Sequence, residues 1–386
     1  MPKKVLVVGG GTGGTIVANN LAHRLHDKLV AGEVEITVLD PSPLHVYQPA
    51  YLLIPFGIMH RSEAIRSERS LLAETVRFRQ EGATKIDLKN RTVQTASGNL
   101  GYDFLVLATG ARPDYSQVPG LEKAGYDFYT LDNAYRLREA LGRFGGGRLV
   151  TAVAGIPFKC PTAPIEFAFL ADSYYSRLGL REKVQVDYVY PLPRPFTIQN
   201  VAEDVQTMMD GRKINVNLLF NIESVDPEKK ELKSMEGETI KYDLAVLTPP
   251  HTGAEVVIKS GIAGKGGWIP TDRYSLRVNG YDDAYAIGDA TDIPVSKAGS
   301  AADFEAAVVA TNIWDSLNGF APSLRYDGKV MCFIITSIGE ATILLFDYEH
   351  PPKPPPSNFA CYWYKLVYNR MYWSITAKGL LPGVGV

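Results

Sequence analysis

Cysteine is scarce: three residues, Cys160, Cys332 and Cys361, lie far apart in a chain of 386. They are too few and too scattered for a disulfide scaffold or a structural zinc site. An excess of charge of one sign is missing too, and a formal net charge of -2 gives no general pull toward nucleic acid. Long apolar runs are absent. None reaches the roughly 18 residues that a membrane-spanning helix requires, so contact with a bilayer is expected to be peripheral. Nor does the chain open like a secretory signal peptide. Met1-Pro2-Lys3-Lys4 passes at once into Val5-Leu6-Val7-Val8 and a glycine turn, which reads as a folded strand, so export by that route is not expected.

What is present is an ordinary globular composition, 46% hydrophobic and 21% charged, in a chain long enough for two nucleotide-fold-sized domains and an appendage. Lys3 to Val8 predicts a buried parallel strand that breaks into Gly9-Gly10-Gly11-Thr12-Gly13-Gly14 and opens a helix to about His26. Gly9 permits the tight turn, Gly11 lets the backbone approach a pyrophosphate, and Gly14 lets the helix pack on the strand. The helix N-terminus supplies N–H donors for phosphates. A second strand from Val34 to Leu39 ends in Asp40, placed to accept the hydroxyls of an adenosine ribose. Two later strand-like segments end in small residues, at Ala108-Thr109-Gly110 and at Gly288-Asp289-Ala290.

A second strand-turn-helix begins at Arg148, but its turn keeps only Gly155. Ile156 and Phe158 are bulky, and Pro157 and Pro161 lack the N–H groups a pyrophosphate cradle needs. NAD(P)H binding there is not expected. In its place stands Cys160, beside Lys159 and just before a helix expected from about Ile165 to Leu178. A helix N-terminus and a neighbouring ammonium both favour thiolate, which predicts a reactive Cys160.

In its three flavin-type motifs the sequence resembles the two-dinucleotide-binding-domain flavoproteins. More narrowly it resembles the sulfide:quinone oxidoreductases and, at greater distance, the flavoprotein subunit of flavocytochrome c sulfide dehydrogenase. The likeness runs nearly end to end. It takes in Tyr47-Gln48-Pro49-Ala50, Cys160 with Glu166, Thr248-Pro249-Pro250, Gly266 to Asp272, Lys297-Ala298-Gly299 and Cys332. It implies FAD bound by Gly9, Gly11, Gly14, Asp40, Pro49, Thr109, Gly110, Gly288 and Asp289, with Lys297, Ala298 and Gly299 opening a helix toward the flavin. It also implies that Cys160 and Cys332 face one another over the flavin and carry the sulfur. Some family members have a further cysteine upstream and flavocytochrome c has one after its second strand. Tyr129 and Ser42 stand there instead, so FAD is expected to be non-covalent.

The resemblance implies that sulfide attacks a bridged Cys160–Cys332 pair and that two electrons leave through FAD to a membrane quinone. It leaves open which cysteine carries the persulfide; we favour Cys332. Glu166 is a candidate proton acceptor, against the alternative of a solvated helix residue. From Asn358 to Lys378 the chain is aromatic-rich and basic, with Lys365, Arg370 and Lys378 interspersed, which suits a helix in the headgroup plane of a lipid bilayer. Phe359, Tyr362, Trp363 and Lys378 are candidates for the quinone side. Cys361 reads as a packed or membrane-facing apolar residue.

The predicted architecture is α/β. It comprises a discontinuous FAD domain (1–113 and 254–321), a second Rossmann-like fold without a working NAD motif (114–253) and a C-terminal membrane-facing region (322–386). The expected location is peripheral on the cytoplasmic membrane, and homo-oligomerisation is left open. Rival readings are a type II NADH:quinone oxidoreductase, a flavocytochrome c-like sulfide dehydrogenase flavoprotein and a non-catalytic flavin-binding subunit. The lost second glycine motif, the aromatic tail and the lone Cys160 turn weigh against them in that order.

Overall fold

The computed structural model describes residues 1–380. Lys3–Val8 forms the central strand of a five-stranded sheet, ordered Ala284–Ala286, Phe104–Leu107, Lys3–Val8, Val34–Leu39, Val76–Arg79, with every pairing parallel. Both faces are covered, because Val5 and Val7 enter one apolar core while Leu6 and Val8 enter another, as strand alternation dictates. The glycine turn leads into the helix Thr12–Arg24. It stops short of His26 because Leu25 leaves helical geometry (φ -109°, ψ 17°) and buries its side chain. His26–Val30 is a separate short helix.

A second, four-stranded parallel sheet runs Asn215–Asn217, Val184–Val189, Gly147–Val153, Leu244–Thr248. The helix after its central strand spans Ala163–Arg177, two residues earlier than the sequence predicts. Pro164 sits in its first turn, where a missing N–H costs nothing. Gly179 (φ +68°) follows its end. Ala111–Pro113 and His251–Gly253 pair antiparallel and join the two sheets' ends.

The remainder packs onto this frame. Gly299–Leu317 is a long helix lying against Thr12–Arg24. An antiparallel hairpin, Val330–Ser337 with Glu340–Phe346, lies between the helices Ala163–Arg177 and Phe359–Met371. A single π-turn, Tyr372–Thr376, ends the terminal helix. Among the described residues no helix is long and apolar enough to cross a membrane.

Candidate active site

The first glycine turn is shaped by close backbone approach. Gly9 has φ +107°, and a Cβ there would lie 2.3 Å from the Ala108 carbonyl oxygen; at Gly14 it would lie 1.8 Å from the Gly9 carbonyl oxygen. A Cβ on Gly11 would meet nothing within 4 Å. Gly11 therefore borders open space at a helix N-terminus, the geometry a pyrophosphate fills. Asp40 closes the turn, its Oδ2 accepting the Gly10 N–H at 2.7 Å and its Oδ1 the Ser42 N–H at 2.8 Å. Lone pairs on both oxygens stay free for ribose hydroxyls.

The other motif residues border the same space. Gly110 (φ +65°) has no neighbour where its Cβ would be, and the buried Thr109 hydroxyl has no partner. Gly288 opens a short 3₁₀ turn through Ala290, and its N–H is accepted by Glu305. Lys297 donates to the Asp289 and Thr291 carbonyls at 3.2 and 2.7 Å and lies 3.9 Å above the Trp268 ring. Ala298 caps the helix that begins at Gly299, and a Cβ on Gly299 would come within 4.0 Å of the Thr12 side chain. Two helix N-termini thus converge on one opening, a setting that favours an anionic, electron-accepting cofactor. Pro49 precedes the short helical turn Ala50–Leu53 and is exposed. These residues fit a flavin dinucleotide: the backbone is closely packed at Gly9 and Gly14 and open at Gly11 and Gly110, and the Thr109 hydroxyl beside Gly110 has no protein partner.

The second turn is filled by protein. A Cβ on Gly155 would meet Pro250 at 3.0 Å, and Phe158 is buried. Cys160 adopts φ +54°, unusual for a residue with a side chain, and its N–H donates to the Lys297 carbonyl at 3.0 Å. The second turn is thereby tied to the segment that opens the helix Gly299–Leu317. Its Sγ lies 3.6 Å from Thr162 Oγ1, which donates to Glu166 Oε1 at 3.2 Å.

Two sequence expectations are corrected here. The Lys159 ammonium, though charge on Cys160 acts on it, makes its hydrogen bonds elsewhere, to Gln48 Oε1 at 2.8 Å and to the Ala111 carbonyl at 3.3 Å. Burial, and next the Glu166 carboxylate, push the Cys160 thiol up from its ordinary value, against lowering by Thr162, Lys365 and the Ala163 N–H. A lowered, thiolate-rich Cys160 is therefore not what the fold provides. Lys365 was expected among the lipid-facing cations. It is instead buried and paired with Glu166. Glu166 is itself buried and also accepts the Ile335 N–H at 3.1 Å, so it is no solvated helix residue.

Cys332 lies on the strand Val330–Ser337 and shares a core with Ile334, Ile335 and the Cys160 loop. Burial pushes its thiol up strongly, and charge on Cys160 and then Glu166 adds to the effect, which places the two sulfurs in one electrostatic neighbourhood. Both cysteines are free in the structure. Met331 and Phe333 point the other way, into the core beneath Thr12–Arg24 and Gly299–Leu317. There the Phe333 ring lies 5.5 and 6.2 Å from Tyr364 and Tyr368. One strand thus presents sulfur on one face and aromatics on the other.

Of the tail candidates, Phe359 (64% exposed) and Trp363 (47%) stand outward, in line with exposed Val367 and Met371 at four-residue spacing, while Tyr362 is buried. Lys378 donates to the Ser70 carbonyl, on the side of the molecule where Lys378 also meets His23. Cys361 is half-buried against the core that holds Cys332. Sequence reasoning missed a buried group beside the first turn: His45, Glu68 and Tyr372. His45 Nδ1 is 2.7 Å from Glu68 Oε2 and its Nε2 is 2.6 Å from the Tyr372 hydroxyl. It also passed over Asp303 and Glu305, two acids in the Ala- and Val-rich first half of the helix Gly299–Leu317, which burial pushes up to about 7 and about 8.

Comparison with known proteins bears on this arrangement. The family model described as pyridine nucleotide-disulphide oxidoreductase matches residues 3–312. The mitochondrial sulfide:quinone oxidoreductase of Mus musculus is 27% identical over 362 residues, covering 90% of this chain and 79% of its own. Its counterpart in Dictyostelium discoideum is 28% identical over 394 residues, covering 97% and 86%. The X-ray structure of the sulfide:quinone oxidoreductase from Aquifex aeolicus superposes with a TM-score of 0.86 at 22% identity, covering 98% of this chain and 92% of that one.

Proposed function

The chain belongs to the pyridine nucleotide-disulphide oxidoreductase family, and within it we propose that this protein oxidises sulfide through Cys160 and Cys332 and delivers the electrons to a membrane quinone. The observation that carries the reading is the strand Val330–Ser337, with Cys332 toward the Cys160–Glu166 loop and Phe333 toward Tyr364 and Tyr368. FAD, held without a covalent link because no cysteine stands at Ser42 or Tyr129, would supply a two-electron acceptor for sulfur and donor for quinone. The similarity to named sulfide:quinone oxidoreductases over nearly the full length supports the same assignment.

Oxidised to a bridge, the two cysteines form a disulfide that hydrosulfide can attack. One S–S bond forms as another breaks, leaving a persulfide on one sulfur and a thiolate on the other. The better leaving group is the sulfur with the better-stabilised anion. Cys160 has the Thr162 hydroxyl, the Ala163 N–H and Lys365 to favour its thiolate, whereas Cys332 has Lys365 alone. Attack therefore falls on Cys332, which carries the persulfide. The proton of the step arrives on hydrosulfide and stays on the persulfide until the bridge re-forms; Glu166, held by Lys365 and the Ile335 N–H and bonded to the Thr162 hydroxyl beside Cys160 Sγ, is the carboxylate placed to take it. Over one turnover hydrosulfide, quinone and one proton give sulfane sulfur and quinol.

The stripe of Phe359, Trp363, Val367 and Met371 rests on the lipid surface, with quinone entering past it to the aromatic face of the hairpin. The test is an anaerobic titration. Sulfide should bleach the flavin absorbance and a short-chain quinone restore it, while NADH leaves the colour unchanged. A flavin bleached by NADH, or indifferent to sulfide, overturns the reading.

A further inference from the structure

We infer that the C-terminal segment is a working part of the dinucleotide site: Tyr372, anchored by His45 and Glu68, orients the Thr12 hydroxyl toward the bound cofactor, so that cofactor retention and docking of the terminal helix are one coupled equilibrium. The inference rests on FAD being the cofactor, as proposed above, but not on the sulfur chemistry.

The argument starts at Glu68, a carboxylate buried to 1%. It accepts the Thr15 hydroxyl at 2.7 Å and lies 2.7 Å from Nδ1 of His45, itself 1% exposed. The far side of that imidazole, Nε2, is 2.6 Å from the Tyr372 hydroxyl, whose single hydrogen goes to Thr12 Oγ1 at 3.2 Å, so that in this arrangement the tyrosine oxygen accepts from Nε2–H and the Glu68 carboxylate from Nδ1–H. Thr12 is the first residue of the helix behind the glycine turn, and its methyl group lies 4.0 Å from where a Cβ on Gly299 would be. Thr12 therefore stands between the two helix N-termini that define the opening. A threonine hydroxyl has one hydrogen. With an oxygen lone pair engaged by Tyr372, that hydrogen is directed away from the chain of groups and into the opening, where phosphate and ribityl oxygens are the available acceptors.

Further contacts tie the same terminal segment to the same helix. Asn19 donates to the Ala377 carbonyl at 2.6 Å, and His23 Nε2 is 2.9 Å from the Lys378 carbonyl oxygen. A Cβ on Gly379 would come within 2.9 Å of the Asn20 backbone nitrogen. The Tyr372 ring is also packed 4.4 Å from that of Tyr47. A helix whose N-terminus grips the cofactor is thus gripped along its length by the tail. Anything that holds one arrangement of that helix must favour both partners, and such linkage is reciprocal.

The test uses the full chain, stripped of flavin and titrated with FAD by fluorescence quenching. Tyr372→Phe keeps the ring packing and removes only the hydroxyl; it should weaken FAD binding about tenfold, and Thr12→Val similarly. Because both changes cut the same link, the double variant should bind scarcely worse than either single one, whereas Tyr135→Phe, on the distant helix Leu131–Arg143, should bind like wild type. In the reciprocal arm, saturating FAD should slow protease cleavage within residues 359–380 of the wild-type chain, and Tyr372→Phe should lose most of that protection. Unchanged FAD affinity in Tyr372→Phe, strictly additive losses in the double variant, or cleavage indifferent to FAD each overturns the coupling. A wild-type chain that binds no FAD fails at the earlier step, the cofactor assignment itself.

Discussion

The two strand-turn-helix units begin alike and end differently. In both, a buried parallel strand delivers the chain to a turn and a helix N-terminus. At the first turn, three glycines keep side chains out, and the helix faces open space. At the second, Pro250 closes on Gly155, Phe158 is buried, and Cys160 stands just before the helix. The acids behind the turns differ as well. Glu166 is met by Lys365, whereas Asp303 and Glu305, on the helix that starts beside the first turn, each keep one oxygen without a partner. The lesson is that one scaffold serves two chemistries when side chains, rather than backbone amides, are allowed to line the turn.

The sharpest way to break the comparison is to add one methyl to each turn. Gly14→Ala should abolish FAD binding, since its Cβ would sit 1.8 Å from a backbone oxygen. Gly155→Ala meets only the edge of Pro250 at 3.0 Å and should cost about 1 kcal/mol with flavin retained. Flavin absorbance per protein and a melting curve separate the two. Next in size, Cys160→Ser and Cys332→Ser should each lose at least about 100-fold in sulfide-dependent quinone reduction per bound flavin, the double variant being scarcely worse, as for groups acting as a unit. Cys361→Ser should stay near wild type. Full activity in Cys332→Ser would end the assignment of a pair.

Lys365→Met strands the Glu166 charge and should destabilise the fold by about 3 kcal/mol, with much of that recovered when Glu166→Gln is added; denaturant unfolding of both variants checks it. The smallest effect is a slope. Burial raises Asp303 from 3.8 to about 7, so between those values the folded chain keeps a proton that the unfolded chain releases. Its contribution is full below the unfolded value and is lost as pH rises through about 7. Melting temperatures should therefore favour Asp303→Asn over wild type increasingly from pH 5 to pH 8. A constant difference would mean that the carboxyl is not held protonated.

How far the sequence carried the reading depends on which force decided each element. Lys3–Val8 and Val34–Leu39 were legible to the residue, because an apolar run ending in glycine or aspartate has few alternatives in an α/β fold. Thr12, Tyr372 and His45 come together only through chain segments far apart in sequence, and no local pattern announces them. Lys365 was misplaced for an identifiable reason. Charged residues on an amphipathic helix are assigned to the wet face by default, yet Tyr362, Lys365, Leu366 and Asn369 share the buried stripe, a spacing that could have placed the lysine inward. Glu166 offered the same kind of signal, as a single acid among Ile165, Phe167, Ala168, Phe169 and Leu170. For Cys160, sequence neighbours argued for a lowered thiol, and burial, which sequence does not display, reversed the sign.

The strand Val330–Ser337 places sulfur chemistry and aromatic surface back to back, with only the thickness of one backbone between Cys332 and Phe333. That makes the site a matter of parity. Were a single residue inserted within the strand between Met331, whose backbone is bonded to the Ser300 hydroxyl, and Cys332, the cysteine would turn toward the tyrosines and the inserted side chain toward Cys160. A change of two residues would restore the alternation. Length variation in the irregular connection ahead of the strand, residues 318–329, should by contrast be absorbed there and leave Cys332 on the same face.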